Sequence, residues 1–151
     1  MPATPIQAID ERLLPFTPEQ IWAVLADANS YPKWYPPSVT VRVLEGTAAL
    51  VGTRFGIKPR GGQPFQCHVT AATTPNQIQT LYPGPFIVGT GEWRLEAVSG
   101  GTRVTYALDV MATGWLATLL GKILPLGKSH SQAMQEVLVA LGQEVGRRNA
   151  P

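Results

Sequence analysis

Two histidines, a single cysteine and four tyrosines are the side chains of this sequence best suited to acid–base or nucleophilic chemistry. His130 is the foremost of them. Its spacing to Met134, Val137 and Leu141 puts it on the apolar stripe of a C-terminal helix. A half-buried imidazole there, near Tyr82 or Tyr106, could move a proton to or from carbon, as an aldol cyclase or dehydratase requires. The competing reading is structural, a histidine in the first turns of a helix bonded to a neighbour. No carboxylate stands out as its orienting partner, because Glu92, Glu96 and Asp109 fall on an outward strand face. His130 is therefore the one catalytic candidate, and the sequence leaves both an enzyme and a binding protein open.

Other chemistries find less support. His68 falls on the outward parity of its strand, and no His, Cys or Glu pair has ligand spacing, so no metal is expected. Neither a nucleophile elbow nor a phosphate-binding loop is present. Gly84-Pro85-Phe86 and Gly89-Thr90-Gly91 carry glycines in a proline and strand context that does not suit a phosphate cradle, and no cofactor is expected. The formal charge of +2 is too small to imply nucleic acid, and no basic stripe with interleaved aromatics points that way. Arg54, Lys58 and Arg60 cluster without a nearby acid, as a solvated loop or a weak site for an anionic lipid or a carboxylate. Cys67 has no partner for an intramolecular disulfide and sits among apolar neighbours, which suits a buried thiol. Residues 1–14 lack the basic start and apolar core of a secretory signal. No apolar run approaches the ~20 residues of a membrane span, so the cytoplasm is the expected compartment.

The elements that must position these residues follow from period and punctuation. A chain of 151 residues, 44% hydrophobic and 15% charged, suits one globular domain spanning residues 1–151. A domain of that size buries about 68–70% of its unfolded surface without a disulfide or metal staple. Residues 5–14 read as a first strand. Thr17-Pro18-Glu19-Gln20 then signals a helix start, with Thr17 as cap, Pro18 at the first position and Gln20 completing a capping box. Ile21, Val24, Leu25 and Ala28 follow at helical spacing, and Pro32 and Pro36-Pro37 leave room for only a short second helix over residues 30–34.

From there the period becomes two. Val39, Val41 and Val43 define one strand, and Val51, Phe55 and Ile57 share a face of the next, with Thr53 between them. Phe65, Cys67 and Val69 define a third, and Ile78, Thr80 and Tyr82 a fourth. A hairpin over residues 88–110 turns at Ser99-Gly100-Gly101-Thr102. Centred on Gly100-Gly101, it sets Leu95 opposite Tyr106, Trp93 opposite Leu108 and Ala97 opposite Val104, with Glu92 unfavourably opposite Asp109. Residues 115–124 have a helical apolar pattern that Pro125 interrupts. A longer helix from about Lys128 carries His130, Met134, Val137, Leu138, Leu141 and Val145 on one stripe wide enough to need a sheet beneath it.

This order of elements resembles the START-like helix-grip superfamily, also called SRPBCC, in its polyketide cyclase/dehydrase branch. The residues that carry the resemblance run from Thr17 to Asp27 and through Tyr31-Pro32-Lys33-Trp34-Tyr35-Pro36. Later come Gly89-Thr90-Gly91-Glu92-Trp93-Arg94-Leu95, Gly101-Thr102-Arg103-Val104-Thr105-Tyr106 and the final helix through Leu141. The resemblance implies an α+β fold, with a seven-stranded curved antiparallel sheet wrapped around a long C-terminal helix and two short helices after the first strand. It also implies a cavity between sheet and helix. Strand parity then lines that cavity with Phe55, Phe65, Cys67, Tyr82, Trp93, Leu95, Tyr106 and Leu108. Met134 and Leu138 form the helix wall, beside His130. The mouth would lie between residues 58–64 and 82–86, with residues 115–124 as a lid, a membrane-contact helix or plain core. The expected function is binding or transport of a hydrophobic small molecule, whether lipid, isoprenoid, quinone or polyketide-like. The alternative is a polyketide cyclase or dehydratase that uses His130 as acid/base.

Overall fold

The computed structural model describes residues 4–113 and 126–151. Strand β1 (Thr4–Leu14) leads into helix α1 (Pro18–Leu25), a 3-10 turn (Ala28–Ser30) and helix α2 (Tyr31–Trp34). Strands β2 (Val39–Glu45), β3 (Arg54–Pro59), β4 (Phe65–Thr73), β5 (Gln77–Pro83), β6 (Ile87–Val98) and β7 (Gly101–Ala112) follow, and α3 (Leu126–Arg148) comes last. The strands form one sheet in the order β1-β7-β6-β5-β4-β3-β2. All neighbours are antiparallel, so β2 to β7 are a meander and β1 returns to pair with β7 from Thr4↔Ala112 to Leu14↔Thr102. This is the expected α+β helix-grip architecture.

Local chemistry explains the entry into the fold. The Thr17 hydroxyl accepts from the Gln20 amide at 3.2 Å while Gln20 Oε1 accepts from the Thr17 amide at 2.9 Å. The reciprocal box satisfies two donors that the first turn of α1 would otherwise leave open, a contribution of about 1 kcal/mol. Ile21, Val24 and Leu25 of α1 are buried, as are Met134, Val137, Leu138, Leu141 and Val145 of α3. The apolar stripe of α3 therefore lies in the concavity of the sheet. Arg148 locks its far end by bonding Glu144 at 2.9 Å and Asp27, beyond α1, at 3.0 Å.

The sheet curls with the help of two irregularities, between Val43 and Glu45 in β2 and between Val69 and Ala71 in β4. A bulge bends its strand and raises local twist. In β4 it also shifts the inward parity, so that Cys67 and Val69 face in before it and Ala72 packs against the core after it.

Three sequence expectations need correction. The β6–β7 hairpin turns on Ser99-Gly100, with Val98 paired to Gly101, so Leu95 faces Val104, Trp93 faces Tyr106 and Ala97 faces Thr102. A two-residue turn preserves parity, so the inward set is unchanged. It also replaces the Glu92/Asp109 juxtaposition by Glu92↔Ala107 and sets Glu96 opposite Arg103, with an ion pair at 3.2 Å. Val51 is not part of β3. It is 40% exposed in a turn where Thr47 Oγ1 bonds its carbonyl at 2.8 Å, while Leu50, with a left-handed φ of 62°, and Thr53 are buried instead. Arg54 has an acid after all, in Glu45 at 3.6 Å. Residues 115–124, the expected lid or membrane-contact helix, lie outside the described residues. Among the described residues no helix is long and apolar enough to cross a membrane.

Candidate functional site

Across the sheet, the inward residues form rungs. One rung joins Tyr82, Gly89, Val110 and Ile6; the next joins Val69, Thr80, Gly91, Leu108 and Ala8; a third joins Ile78, Trp93, Tyr106 and Asp10. Two of these positions on β6, Gly89 and Gly91, are glycines. Between these rungs and α3 lies a cavity of about 470 Å³, within the ~300–1,000 Å³ range of small-molecule sites.

Eight of the expected lining residues meet at this cavity: Phe55, Phe65, Cys67, Tyr82, Trp93, Tyr106, Leu108 and Met134. Leu95 and Leu138 do not. Both are fully packed, Leu95 because it stands one rung beyond Trp93, and Leu138 because it lies beyond Met134 and Val137 on the helix. The side chain of His130 lies outside the described residues. The helix that bears it does meet a buried carboxylate that the sequence reading overlooked, since Ser131 Oγ donates to Asp10 Oδ2 at 3.1 Å.

Sequence reasoning also missed one wall. Tyr31 stacks between Phe55, at 4.8 Å and 7°, and Tyr35, at 5.4 Å and 19°. Its hydroxyl donates to the Leu25 carbonyl at 2.6 Å, and the Trp34 indole donates to Ser30 Oγ at 3.1 Å. The signal was available: Tyr31 and Tyr35 are four residues apart and so share one side of a helical turn.

Opposite this stack is a cluster of polar groups. Tyr106 rises from its rung over Gly91, where its hydroxyl meets that of Tyr82 and lies 3.5 Å from Thr80 Oγ1. Its ring is edge-on to Trp93 at 4.9 Å. The buried Cys67 thiol borders the same part of the cavity, where the nearby Thr80 and Tyr82 hydroxyls partly offset the upward push of burial on its pKa. Gly91 is what permits this arrangement, because a Cβ there would stand 2.2 Å from the Tyr106 hydroxyl and 2.7 Å from Thr80 Oγ1. Burial pushes the Cys67 thiol up to about 11, and burial drives the Tyr31, Tyr82 and Tyr106 phenols above their ordinary value of 10. These groups are therefore uncharged at neutral pH.

The mouth lies at the end of the sheet where β3 ends and β4, β6 and α3 begin. Arg60 and Gln63 from the β3–β4 loop, Phe86 just before β6, Ile87 at its start, and Ala133 of α3 border it. The Arg60 amide donates to the Ser38 carbonyl at 2.8 Å, and the Ser38 hydroxyl donates to Glu136, which ties both loops to the helix. On the other face of the sheet, Gln7, Gln79, Glu92 and Asp109 border a polar depression open to solvent. Partial burial works against the Glu92 carboxylate there, but Gln77 and Arg94 outweigh it and hold its pKa below the usual range. His68, bonded to Gln66 at 2.9 Å, faces outward, and partial burial with Arg54 nearby lowers its pKa. Among the described residues no group of His, Cys, Asp or Glu could hold a metal ion.

The sequence model of a family described as polyketide cyclase / dehydrase and lipid transport matches residues 7–145. The chain belongs to that family. Among relatives of known sequence, the ribosome association toxin RatA of Escherichia coli K12 is 26% identical over 109 residues, 71% of this chain and 69% of RatA. The persistence and stress-resistance toxin PasT of an E. coli O6:H1 strain matches to the same extent. Among solved structures, TTHA0849 from Thermus thermophilus superposes with a TM-score of 0.78 at 18% identity, over 95% of this chain and 99% of its own. The di-domain aromatase/cyclase StfQ of the steffimycin biosynthetic pathway superposes with a TM-score of 0.70 at 15% identity, over 97% of this chain and 53% of its own. At such identities the solved structures show a shared fold, and the chemistry must be argued from this cavity.

Proposed function

We propose that this protein binds, and in binding carries or presents, a hydrophobic small molecule held between the curled sheet and α3. The observation that supports this reading is the cavity itself, about 470 Å³ bordered by aromatic and aliphatic side chains inside one domain. A ligand that buries ~400 Å² of apolar surface gains ~10 kcal/mol gross at 25 cal/mol per Å². Association costs of ~4–15 kcal/mol then leave micromolar binding within reach for a preformed pocket. The rigid aromatic wall and the loops tied to α3 provide that preformation.

Among the described residues, the titratable groups that line the cavity are poorly suited to proton transfer. A general acid or base works best with a pKa near the operating pH, and burial moves the phenols and the thiol of this cavity away from it. Arg54, Arg94, Arg103, Arg147 and Arg148 each face a carboxylate within 3.6 Å, which weakens them as contacts for a polyanionic partner.

The reading is tested by native and then denaturing mass spectrometry on protein purified from its own host. An apolar small molecule released in about equal amount to the chain is the expected result. A chain that carries nothing from its host and takes up no apolar probe would overturn it.

A further inference from the structure

We propose that Cys67, Thr80, Tyr82 and Tyr106 form a polar seat inside the cavity that holds an uncharged oxygen, a carbonyl or a hydroxyl, at the buried end of an otherwise apolar ligand. The seat excludes carboxylates and phosphates. This deepens the binding function proposed above and rests on it.

Three observations carry the inference. First, the four groups come from three strands, β4, β5 and β7, and converge in the apolar interior at 3–5% exposure. A buried hydroxyl stabilises nothing by burial alone and is costly wherever its bonds are poor. Phe or Val would fill these positions more cheaply if filling were their only task. Second, the sheet makes room for the seat. Gly91, on the rung of Thr80, carries no Cβ to meet the Tyr106 hydroxyl, so the phenol can lie over the sheet against Thr80 and Tyr82. Third, the charges are arranged for a neutral guest. The thiol and phenols are uncharged at neutral pH, and among the described residues the one charged side chain bordering the cavity is Arg60, which is exposed. An anion at the seat would lose its hydration without a counter-charge. Hydroxyls both donate and accept, so by rotating they can donate to a carbonyl or accept from a hydroxyl.

Three probes of one shape decide the matter: 2-methylnaphthalene, 2-naphthol and 2-naphthoate, titrated at pH 7 and followed by calorimetry and by the fluorescence of Trp93. The expected result is 2-naphthol binding about 2- to 12-fold tighter than 2-methylnaphthalene, the yield of one net hydrogen bond. Binding of 2-naphthoate should be weaker than of either. In Tyr82→Phe and in Tyr82→Phe/Tyr106→Phe the preference for naphthol should fall towards one while the hydrocarbon still binds. Equal binding of naphthol and hydrocarbon to the native protein, or naphthoate binding as tightly as naphthol, overturns the polar seat and leaves the apolar cavity standing. Failure of all three to bind overturns the cavity reading and the seat with it. The native-protein comparison is decisive even if a variant does not fold.

Discussion

Substituting Gly91 by Ala adds one methyl group to the sheet, and the geometry sets what that methyl must do. The new Cβ would stand 2.2 Å from the Tyr106 hydroxyl, 2.7 Å from Thr80 Oγ1 and 2.9 Å from Tyr106 Cζ, all far inside van der Waals contact. Gly91 does not have a left-handed φ, so alanine brings no backbone strain and the effect isolates side-chain room. Thr80 is fixed in β5 and cannot retreat. Tyr106 is braced by the Trp93 ring at 4.9 Å and must tip into the cavity, leaving Tyr82 and Thr80. Overpacking of this kind costs about 1–3 kcal/mol. At 2–4 °C per kcal/mol for a chain of this size, Tm should fall by about 2–12 °C. Scanning calorimetry gives the shift, and titration with 2-naphthol should show weakened uptake in the same variant. Adding Tyr106→Phe removes the closest of the three contacts and should recover part of the lost Tm. The helix control is Gly146→Ala, whose Cβ meets Phe16 at an ordinary 3.5 Å and should raise stability by about 0.5–1 kcal/mol. If Gly91→Ala melts with the native protein and binds naphthol as well, the claim that Gly91 exists to seat Tyr106 is refuted.

Three further outcomes follow from the same geometry. Ala133→Phe should push a ring from α3 into the cavity and weaken naphthol binding at least about tenfold, or ~1.4 kcal/mol, while Arg94→Ala on the outward face leaves it unchanged; equal losses in both would sink the cavity assignment. The buried Cys67 thiol, with its pKa pushed up to about 11, should resist iodoacetamide at pH 8 in the folded protein and react only as fast as the chain opens; prompt alkylation of folded protein, followed by mass, would contradict its burial. The hydrogen bonds from Arg147, and then Arg148, lower the Glu144 carboxyl to about 2 from 4.5, so its contribution is present above pH 4.5 and is lost as pH falls towards 2. Glu144→Gln should therefore cost about 1–2 kcal/mol in urea denaturation at pH 7 and much less at pH 2, and an undiminished loss in acid would exclude the ion pair as its source.

The fold could be read from the sequence because its signals are local and repetitive. Thr17 and Gln20 announce the start of α1 within four residues, and the alternation through Phe65, Cys67 and Val69 fixes which side faces in. The wrong hairpin centre did no damage for the same reason. An error of two in the sum of paired positions keeps every side chain on its own face, and only the charge pairing across β6 and β7 exposed the mistake. Val51 shows where such reasoning stops. Alternation reads straight through a turn, and nothing in a period of two announces that Leu50 takes a left-handed conformation and goes inward in its place.

The chemistry of the cavity was harder to read because it lies in pairs of residues far apart along the chain. Parity placed Tyr82 and Tyr106 on the inner face, but that their hydroxyls meet depends on Tyr106 leaning one rung along, over Gly91. Sequence alone gives a glycine in a strand no such purpose. Thr80 lies between Ile78 and Tyr82 with the right parity, yet a threonine among apolar neighbours passes for a tolerated β-former until its oxygen is found against a phenol. Tyr31 and Tyr35 were hidden by the prolines around them, which drew attention to the chain's turning rather than to the face it presents. For Tyr31 and Tyr35 the signal was a local spacing of four; for Thr80, Tyr82 and Tyr106 the missed information is a distance between elements, which composition and period do not carry. What composition and period do carry is a bias, an apolar inner face with a few uncharged polar atoms, which is the chemistry the proposed seat requires.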